Sequence, residues 1–171
     1  QPAILFRRVG NPAVCDNLSG KQSVPFLISL SLQQNPLYAL IQFILTLMNI
    51  EDFRTYCLSF KGVSEKMPFG KASTEYDRNL LVFSVCDKWF CFVNVDVFDF
   101  CNVKCRPEQS EELQERYEGM RPGYHMNKRH WLSICFNRDV PDSLIRSLVR
   151  QSYDLVVASL TRKQREALEK L

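Results

Sequence analysis

The stretch LLVFSVCDKWFCFVNVD, residues 80–96, contains two apolar runs separated only by Asp87 and Lys88. Valine, phenylalanine and tryptophan dominate both runs, and only a tight turn fits between them, so we expect two neighbouring antiparallel strands. In the second run, alternation puts Trp89, Cys91, Val93 and Val95 on one face and Phe90, Phe92 and Asn94 on the other. Because both faces then carry apolar groups, this strand should lie near the middle of a sheet.

The neighbouring segments extend this pair. Short runs of strand-forming residues at Thr74–Asp77 and Phe98–Cys105 predict a four-stranded meander. Upstream, Asn49 is suited to cap a helix, and residues 63–73 predict a loop punctuated by Pro68 and Gly70.

Downstream, Pro107 opens an acidic helix, and a late strand is expected at Trp131–Phe136. The last long helix should start at Asp139 or Pro141–Asp142 and bury one wide apolar stripe. These elements predict an α+β fold, with an antiparallel sheet of about five strands, a meander plus a late strand, and helices packed on one face. We assign this domain to residues 48–160 and a polar helical tail to residues 161–171.

Residues 1–47 differ from the rest, since Asp16 is their one acidic residue and neither hydrophobic period is clear. Three interpretations are open: a helix that packs on the domain, a membrane-surface segment, or sequence upstream of a natural start at Met48. Neither apolar run in this N-terminal extension reaches the ~20 residues that span a bilayer, so no transmembrane segment is expected.

The composition favours a globular cytoplasmic protein. The net charge of +3 is small, so any nucleic-acid surface must be a local patch. The seven cysteines are odd in number, which favours reduced thiols over a disulfide scaffold. No cysteine and histidine spacing is typical of a zinc site, and we expect neither a metal nor a small-molecule cofactor.

The candidate site is PGYHMNKRHWLSICF, residues 122–136, which holds both histidines of the chain. No nucleophile elbow, zinc-protease motif or phosphate-cradling loop accompanies it, so we do not expect an enzyme. Bases interleaved with flat rings could instead hold phosphates and stack on bases. The candidate nucleic-acid contacts are Arg121, Tyr124, His125, Lys128, Arg129 and His130.

The same segment also has a purely structural interpretation. Pro122 and Gly123 would make a turn, and Asn127 would cap a short helical piece at Asn127–His130. Tyr124 and Trp131 would anchor the late strand to the last helix. In that helix, Ser152 and Tyr153 could supply hydroxyls to the polar groups of this segment.

Five stretches carry a resemblance to a known family. They are MPFG at 67–70, LLVFSVCDKWFCFV at 80–93, the stretch around Lys104 and Pro107, PGYHMNKRHW at 122–131 and SYDLV at 152–156. Over about residues 48–160 the chain resembles the bacterial MmcQ/YjbR-like proteins. Its structural signature would be Pro68, Gly70, Pro122, Gly123, Asn127, Trp131, Ser152 and Tyr153.

The resemblance implies a CyaY-like or secretion-chaperone-like fold and DNA binding through a double-wing arrangement. After Trp131 this chain departs from the family pattern, since Leu132, Ser133, Ile134 and Cys135 stand where a polar residue and valine are frequent. A polar role at those positions is therefore in doubt. The alternative function is a protein-interaction or dimerisation module that uses the KWFCFV strand and the apolar residues 25–47.

Overall fold

The computed structural model describes residues 36–37 and 47–171. The chain divides into two units, Gln1–Leu45 and Thr46–Leu171. Apart from residues 36, 37 and 47, residues 1–47 lie outside the described part, and so do the interpretations offered for them. In the second unit the elements are α1 (Ile50–Leu58), β1 (Val63–Lys66), α2 (Glu75–Arg78), β2 (Leu80–Val85), β3 (Lys88–Asn94), β4 (Phe100–Lys104), α3 (Pro107–Arg116), β5 (Met120–Pro122), β6 (Trp131–Cys135), α4 (Asp142–Ala158) and α5 (Arg162–Glu169).

The six strands form one antiparallel sheet in the order β1-β2-β3-β4-β6-β5. The α+β prediction is confirmed, with one strand more than the five or so that the sequence indicated. Two edge strands, β1 and β5, were not predicted, and one predicted strand is absent. Strand β5 has three residues and ends at Pro122, too short a run to give a period of its own. As expected, β3 lies inside the sheet, between β2 and β4.

Two sequence predictions between α1 and β2 are wrong. Val63–Lys66, assigned to a loop, forms edge strand β1, which an ion pair of Glu65 with Arg54 ties to α1. Thr74–Asp77, assigned to a strand, is a helix start instead. The Thr74 side chain accepts a hydrogen bond from Asp77 N and so caps α2.

A β-bulge interrupts the alternation expected for β3. Phe83 pairs with Cys91, whereas the next residue, Ser84, pairs with Trp89, so Phe90 is the extra residue. Phe90 and Cys91 therefore both enter the large core, while Trp89 turns to the opposite face. The strict alternation predicted for Trp89 and Phe90 is wrong for this reason.

Helices α1 and α4 cover one face of the sheet, which we call the helix face. Asn49 caps α1 as expected, because its side chain accepts a hydrogen bond from Asp52 N at 3.0 Å. Phe53 of α1 packs edge-on against Phe83 and Phe136, and Ile145 of α4 is fully buried. The apolar stripes of both helices thus form one core with the sheet.

The hydroxyls of Ser152 and Tyr153 bind the sheet and the turn after α1, and not the PGYHMNKRHW segment, which corrects the prediction. Ser152 Oγ accepts a hydrogen bond from Lys104 N at 2.7 Å and donates one to Phe90 O at 2.5 Å. The Tyr153 hydroxyl donates to Lys61 O at 2.8 Å. Both residues keep a structural role, which is to hold α4 against β3, β4 and the end of α1.

On the opposite face, which we call the loop face, the described residues place no long helix. Its small buried cluster consists of Leu80, Val82, Phe92 and Trp131. Phe69 and Tyr76 from residues 67–79, which include the single turn of α2, pack on this cluster together with Trp89 of β3 and Met126 from residues 123–130. No helix in the described part of the chain is long and apolar enough to cross a membrane.

Candidate functional site

The PGYHMNKRHW segment forms the connection from β5 to β6, and we call residues 123–130 the signature loop. Gly123 N donates to Trp131 O at 2.9 Å, which closes the loop at its base. A Cβ atom at Gly123 would lie only 2.8 Å from that same oxygen, so this approach requires glycine. Pro122 is the last residue of β5, and the turn lies at Tyr124–His125, so the turn expected at Pro122–Gly123 comes slightly later in the chain.

The far end of the signature loop is a hydrogen-bonded turn in place of the short helical piece that the sequence indicated. Asn127 Oδ1 accepts from Arg129 N at 2.9 Å, and Asn127 O accepts from His130 N and Trp131 N, both at 3.0 Å. The capping role predicted for Asn127 is therefore present. It fixes the backbone that carries Lys128 and Arg129.

A buried polar pair holds the middle of the loop from below. Tyr124 N donates to Asn102 Oδ1 and to Ser133 Oγ, each at 2.9 Å, and Ser133 Oγ donates to Asn102 Oδ1 at 2.7 Å. Asn102 and Ser133 face each other across β4 and β6. Ser133, which departs from the family pattern, therefore has a polar role, which the sequence had left in doubt. The sequence analysis did not identify Asn102.

The two large rings of the segment lie on the loop face, away from α4, so the predicted anchoring to the last helix is wrong. The Tyr124 ring packs edge-on against Phe100 and Tyr76, with centroid distances of 5.5 and 5.7 Å. Trp131 is buried as expected, 5.8 Å from Phe92. Burial, followed by the nearby charge of Asp77, raises the pKa of Tyr124.

The six candidate nucleic-acid contacts separate into two groups. In the first, Arg121 Nη2 donates to Cys135 Sγ at 3.0 Å, and its guanidinium lies over the Phe100 ring at 5.9 Å. The rings of Tyr124 and His125 are 4.0 Å apart, with Tyr124 against Phe100 and His125 beside Asp77. Arg121, whose backbone pairs with Ser133, is held against the protein by its bond to Cys135.

Lys128, Arg129 and His130 form the second group, and all three are exposed. None of them makes an ion pair with a described residue. Lys104 adjoins them, because Cys105 N donates to His130 O at 3.0 Å and the Lys104 ammonium lies over the Trp131 ring at 5.5 Å. Burial, with a smaller contribution from Lys88, lowers the pKa of Lys104. We call Lys104, Lys128, Arg129 and His130 the turn cluster.

Between the signature loop and residues 67–79 lies an apolar cavity of about 450 Å³, which we call the loop-face pocket. The side chains that matter for its chemistry are Phe69, Asp77, Trp89, Phe92, His125 and Met126. Phe69 and Trp89 meet edge to face at 5.7 Å. The sequence analysis missed this pocket.

Asp77 is the one acidic group of this pocket. Thr74 Oγ1 donates to Asp77 Oδ2 at 2.5 Å, whereas Oδ1 is buried and accepts no hydrogen bond from the described residues. His125 Nε2 lies 3.9 Å from Oδ1, and the His125 side chain is 65% exposed. The pocket therefore combines aromatic walls with an unsatisfied carboxylate oxygen.

A second cleft, of about 720 Å³, runs between α3 and α4. Its acidic groups, Glu108, Glu112 and Asp154, are all exposed to solvent, so nothing there is preorganised for binding. In the described part of the chain, no three His, Cys, Asp or Glu side chains are grouped so that they could hold a metal ion.

These features define a small α+β domain with an open antiparallel sheet, helices on one face and a glycine-closed basic loop on the other. The chain belongs to the YjbR family, whose model matches residues 58–155. Protein YjbR of Escherichia coli K12 is 30% identical over 125 residues, which cover 72% of this chain and all of that protein. Protein YyaQ of Bacillus subtilis is 46% identical over 57 residues, which cover 33% of this chain and 48% of YyaQ.

Two solved structures share the fold. The crystal structure of Deinococcus radiodurans protein DR2400, with the domain DUF419, has a TM-score of 0.63 and 28% identity and covers 72% of this chain and 89% of its own. A crystal structure from Pseudomonas syringae has a TM-score of 0.51 and 25% identity and covers 63% of this chain and 98% of its own. The names of these proteins state no activity, so function has to be argued from the site itself.

Proposed function

We propose that this protein binds nucleic acid, DNA in the first instance, through phosphate contacts made by the turn cluster. The observation that carries the proposal is the pair Lys128 and Arg129, exposed side by side without an acidic partner among the described residues. Their backbone is fixed by Asn127, so little backbone entropy is lost when they meet a phosphate.

The neighbouring groups fit the same partner. Lys104 adds a third positive charge, and the exposed ring of His130 offers a flat surface for a base or sugar. Arg121 and His125 contribute less to this proposal than the sequence indicated, because Arg121 is bound to Cys135 and His125 faces Asp77. With a net charge of only +3, we expect modest, salt-sensitive binding with little sequence preference.

The test is DNA binding by fluorescence anisotropy with a labelled duplex at several salt concentrations. The double variant Lys128→Glu and Arg129→Glu should bind roughly 10- to 100-fold more weakly. Its plot of log affinity against log salt should also be flatter by about 2, since each phosphate contact contributes about 0.9 to the slope.

The matched control makes the same charge change elsewhere, with Lys163→Glu and Arg165→Glu on the exposed surface of α5. It should leave the slope unchanged, and circular dichroism should show both double variants folded. Equal losses in the two variants, or an unchanged affinity in the first, would remove the turn cluster from the mechanism.

The protein-interaction alternative stays a prediction. The KWFCFV strand is interior to the sheet, and of its apolar side chains Trp89 is half-buried at the loop-face pocket whereas the others are buried. The other segment named for it, residues 25–47, lies almost wholly outside the described residues. Self-association thus stays a prediction, which size exclusion at high and low salt would test.

The absence of catalysis and the cytoplasmic location also stay proposals. Six of the cysteines, all in the described part, are free thiols, as a reducing compartment favours: Cys57, Cys86, Cys91, Cys101, Cys105 and Cys135.

A further inference from the structure

The loop-face pocket is separate from the turn cluster and is built differently. Its volume of about 450 Å³ falls within the range of small-molecule sites, roughly 300–1,000 Å³. Phe69, Trp89 and Phe92 supply aromatic walls, and Asp77 supplies a single negative charge. The aromatic walls and the single negative charge together indicate the chemistry of the ligand.

Asp77 Oδ1 can accept a further hydrogen bond. The Tyr124 hydroxyl lies close enough to the Asp77 carboxylate for a hydrogen bond with it to raise the Tyr124 pKa, but no described donor has hydrogen-bond geometry to Oδ1. A buried carboxylate oxygen without a hydrogen bond is unfavourable, because it has lost water and gained nothing in return. Thr74 fixes the other oxygen, so Asp77 cannot turn to satisfy Oδ1 without breaking the hydrogen bond that Oδ2 accepts from Thr74 Oγ1. A ligand N–H group that reaches Oδ1 would therefore find a preorganised acceptor.

The charge of the ligand's donor group follows from the side chains around the Asp77 carboxylate. Within 4 Å of the Asp77 carboxylate the described residues place no lysine or arginine, and His125 is the one basic side chain near it. The guanidinium of the adjacent Arg78 points to Ala72 O and Ser73 O instead. An anionic ligand would be repelled by this carboxylate, whereas a cation would be attracted both by Asp77 and by the faces of the aromatic rings.

We propose that the loop-face pocket binds a small organic cation, a protonated amine on an apolar or aromatic body. The ammonium group donates to Asp77 Oδ1, and the body lies among Phe69, Trp89 and Phe92. His125 lies at the edge of this site, because its exposed side chain is 3.9 Å from Oδ1.

Three compounds of nearly equal size test the proposal: 2-phenylethylamine as the cation, 2-phenylethanol as the neutral analogue and phenylacetate as the anion. Binding is measured by titration of the Trp89 indole signal in a ¹H–¹⁵N NMR spectrum at pH 7. The amine should shift this signal saturably and bind at least about 10-fold more tightly than the alcohol. Phenylacetate should bind more weakly than either.

Two substitutions locate the site. Asp77→Asn keeps an oxygen for Thr74 but removes the charge, and should abolish the preference for the amine over the alcohol. Glu75→Gln is the matched control, because it removes one charge from the same short helix at an exposed position and should preserve that preference.

Equal binding of the three compounds to the wild-type protein would overturn the proposal, as would undiminished amine preference in Asp77→Asn or no saturable binding by any compound. These titrations contain no DNA, and Lys128 and Arg129 do not line the pocket. Their result is therefore independent of the nucleic-acid proposal.

Discussion

The two faces of the sheet differ in how completely they are sealed. On the helix face, α1 and α4 bury a continuous apolar core in which Phe83, Phe90 and Ile145 are fully inaccessible. On the loop face, two irregular segments cover a cluster of four buried residues and leave a cavity of about 450 Å³. One sheet thus carries a dense core and a loosely filled one.

Unpartnered polar atoms are distributed in the same unequal way. In the described part, the buried side-chain atoms without a hydrogen-bond partner are Asp77 Oδ1 and Asn102 Nδ2. Asp77 lines the loop-face pocket, and Asn102 supports the signature loop through Tyr124 N. Buried polar atoms without a partner are few in native proteins, and each calls for an explanation. We infer that the helix face maintains the fold and that the loop face performs the function.

The largest expected effect compares two phenylalanines of β3. Phe90→Ala opens a cavity in the helix-face core and should lower the free energy of unfolding by roughly 3–5 kcal/mol. Phe92→Ala enlarges a pocket that already exists, so less contact is lost, and the expected decrease is about 2–3 kcal/mol. Urea denaturation followed by circular dichroism measures both.

The order of the two variants is the informative result. Both remove the same side chain from one strand, and both side chains are at least 97% buried, so strand propensity and residue type cancel. If Phe92→Ala were the more destabilising variant, the loop face would be the tighter core and the comparison would fail.

A second, smaller effect tests the closure of the signature loop. Gly123→Ala places a methyl group 2.5 Å from Trp131 Cβ and 2.8 Å from Trp131 O, so the loop must shift, at an expected cost of about 1–3 kcal/mol. Gly70→Ala is the matched control, because a Cβ atom there meets nothing within 4 Å. It should change stability by about 0.5 kcal/mol at most. A similar loss in both variants would show that the approach to Trp131 is not the reason for glycine.

The sequence predicted the helix face better than the loop face for a physical reason. Helix amphipathicity and apolar runs report burial in regular elements, which is why α4 and the interior position of β3 were predictable. The bulge at Phe90 was not predictable, because two consecutive residues that face the helix-face core leave the composition of the strand unchanged. For α2 the signal was present, since Thr74 followed three residues later by Asp77 is a typical helix start.

The candidate site was predictable only where its residues are contiguous. Lys128, Arg129 and Asn127 lie within one segment, and their exposure and the turn follow from local chemistry. The loop-face pocket joins Phe69, Asp77 and Trp89 with the signature loop, and no local pattern records which of these segments will meet. Only the sheet order and the bulge bring Trp89 to that face.

The smallest expected effect concerns the sealed face at alkaline pH. Burial raises the pKa of the Cys91 thiol well above its ordinary value, and the adjacent thiols Cys101 and Cys57 raise it further. The unfolded thiol, with a pKa of about 8.5, therefore loses its proton at pH values where the folded one keeps it. The contribution of the buried Cys91 thiol to the free energy of unfolding is therefore complete below about pH 8.5. Above that pH it falls by at most about 1.4 kcal/mol per pH unit.

Urea denaturation of wild type and of Cys91→Ala at pH 7.5 and pH 9.5 measures this decline. Cys91→Ala should be less stable at pH 7.5 because packing is lost, yet its stability should fall less between the two pH values. Val93→Ala, a buried position on the same strand and face, loses packing without losing a thiol and should keep the wild-type decline. A decline in Cys91→Ala as steep as in Val93→Ala would mean that water reaches the helix-face thiols, and the contrast between a sealed and an open face would then no longer hold.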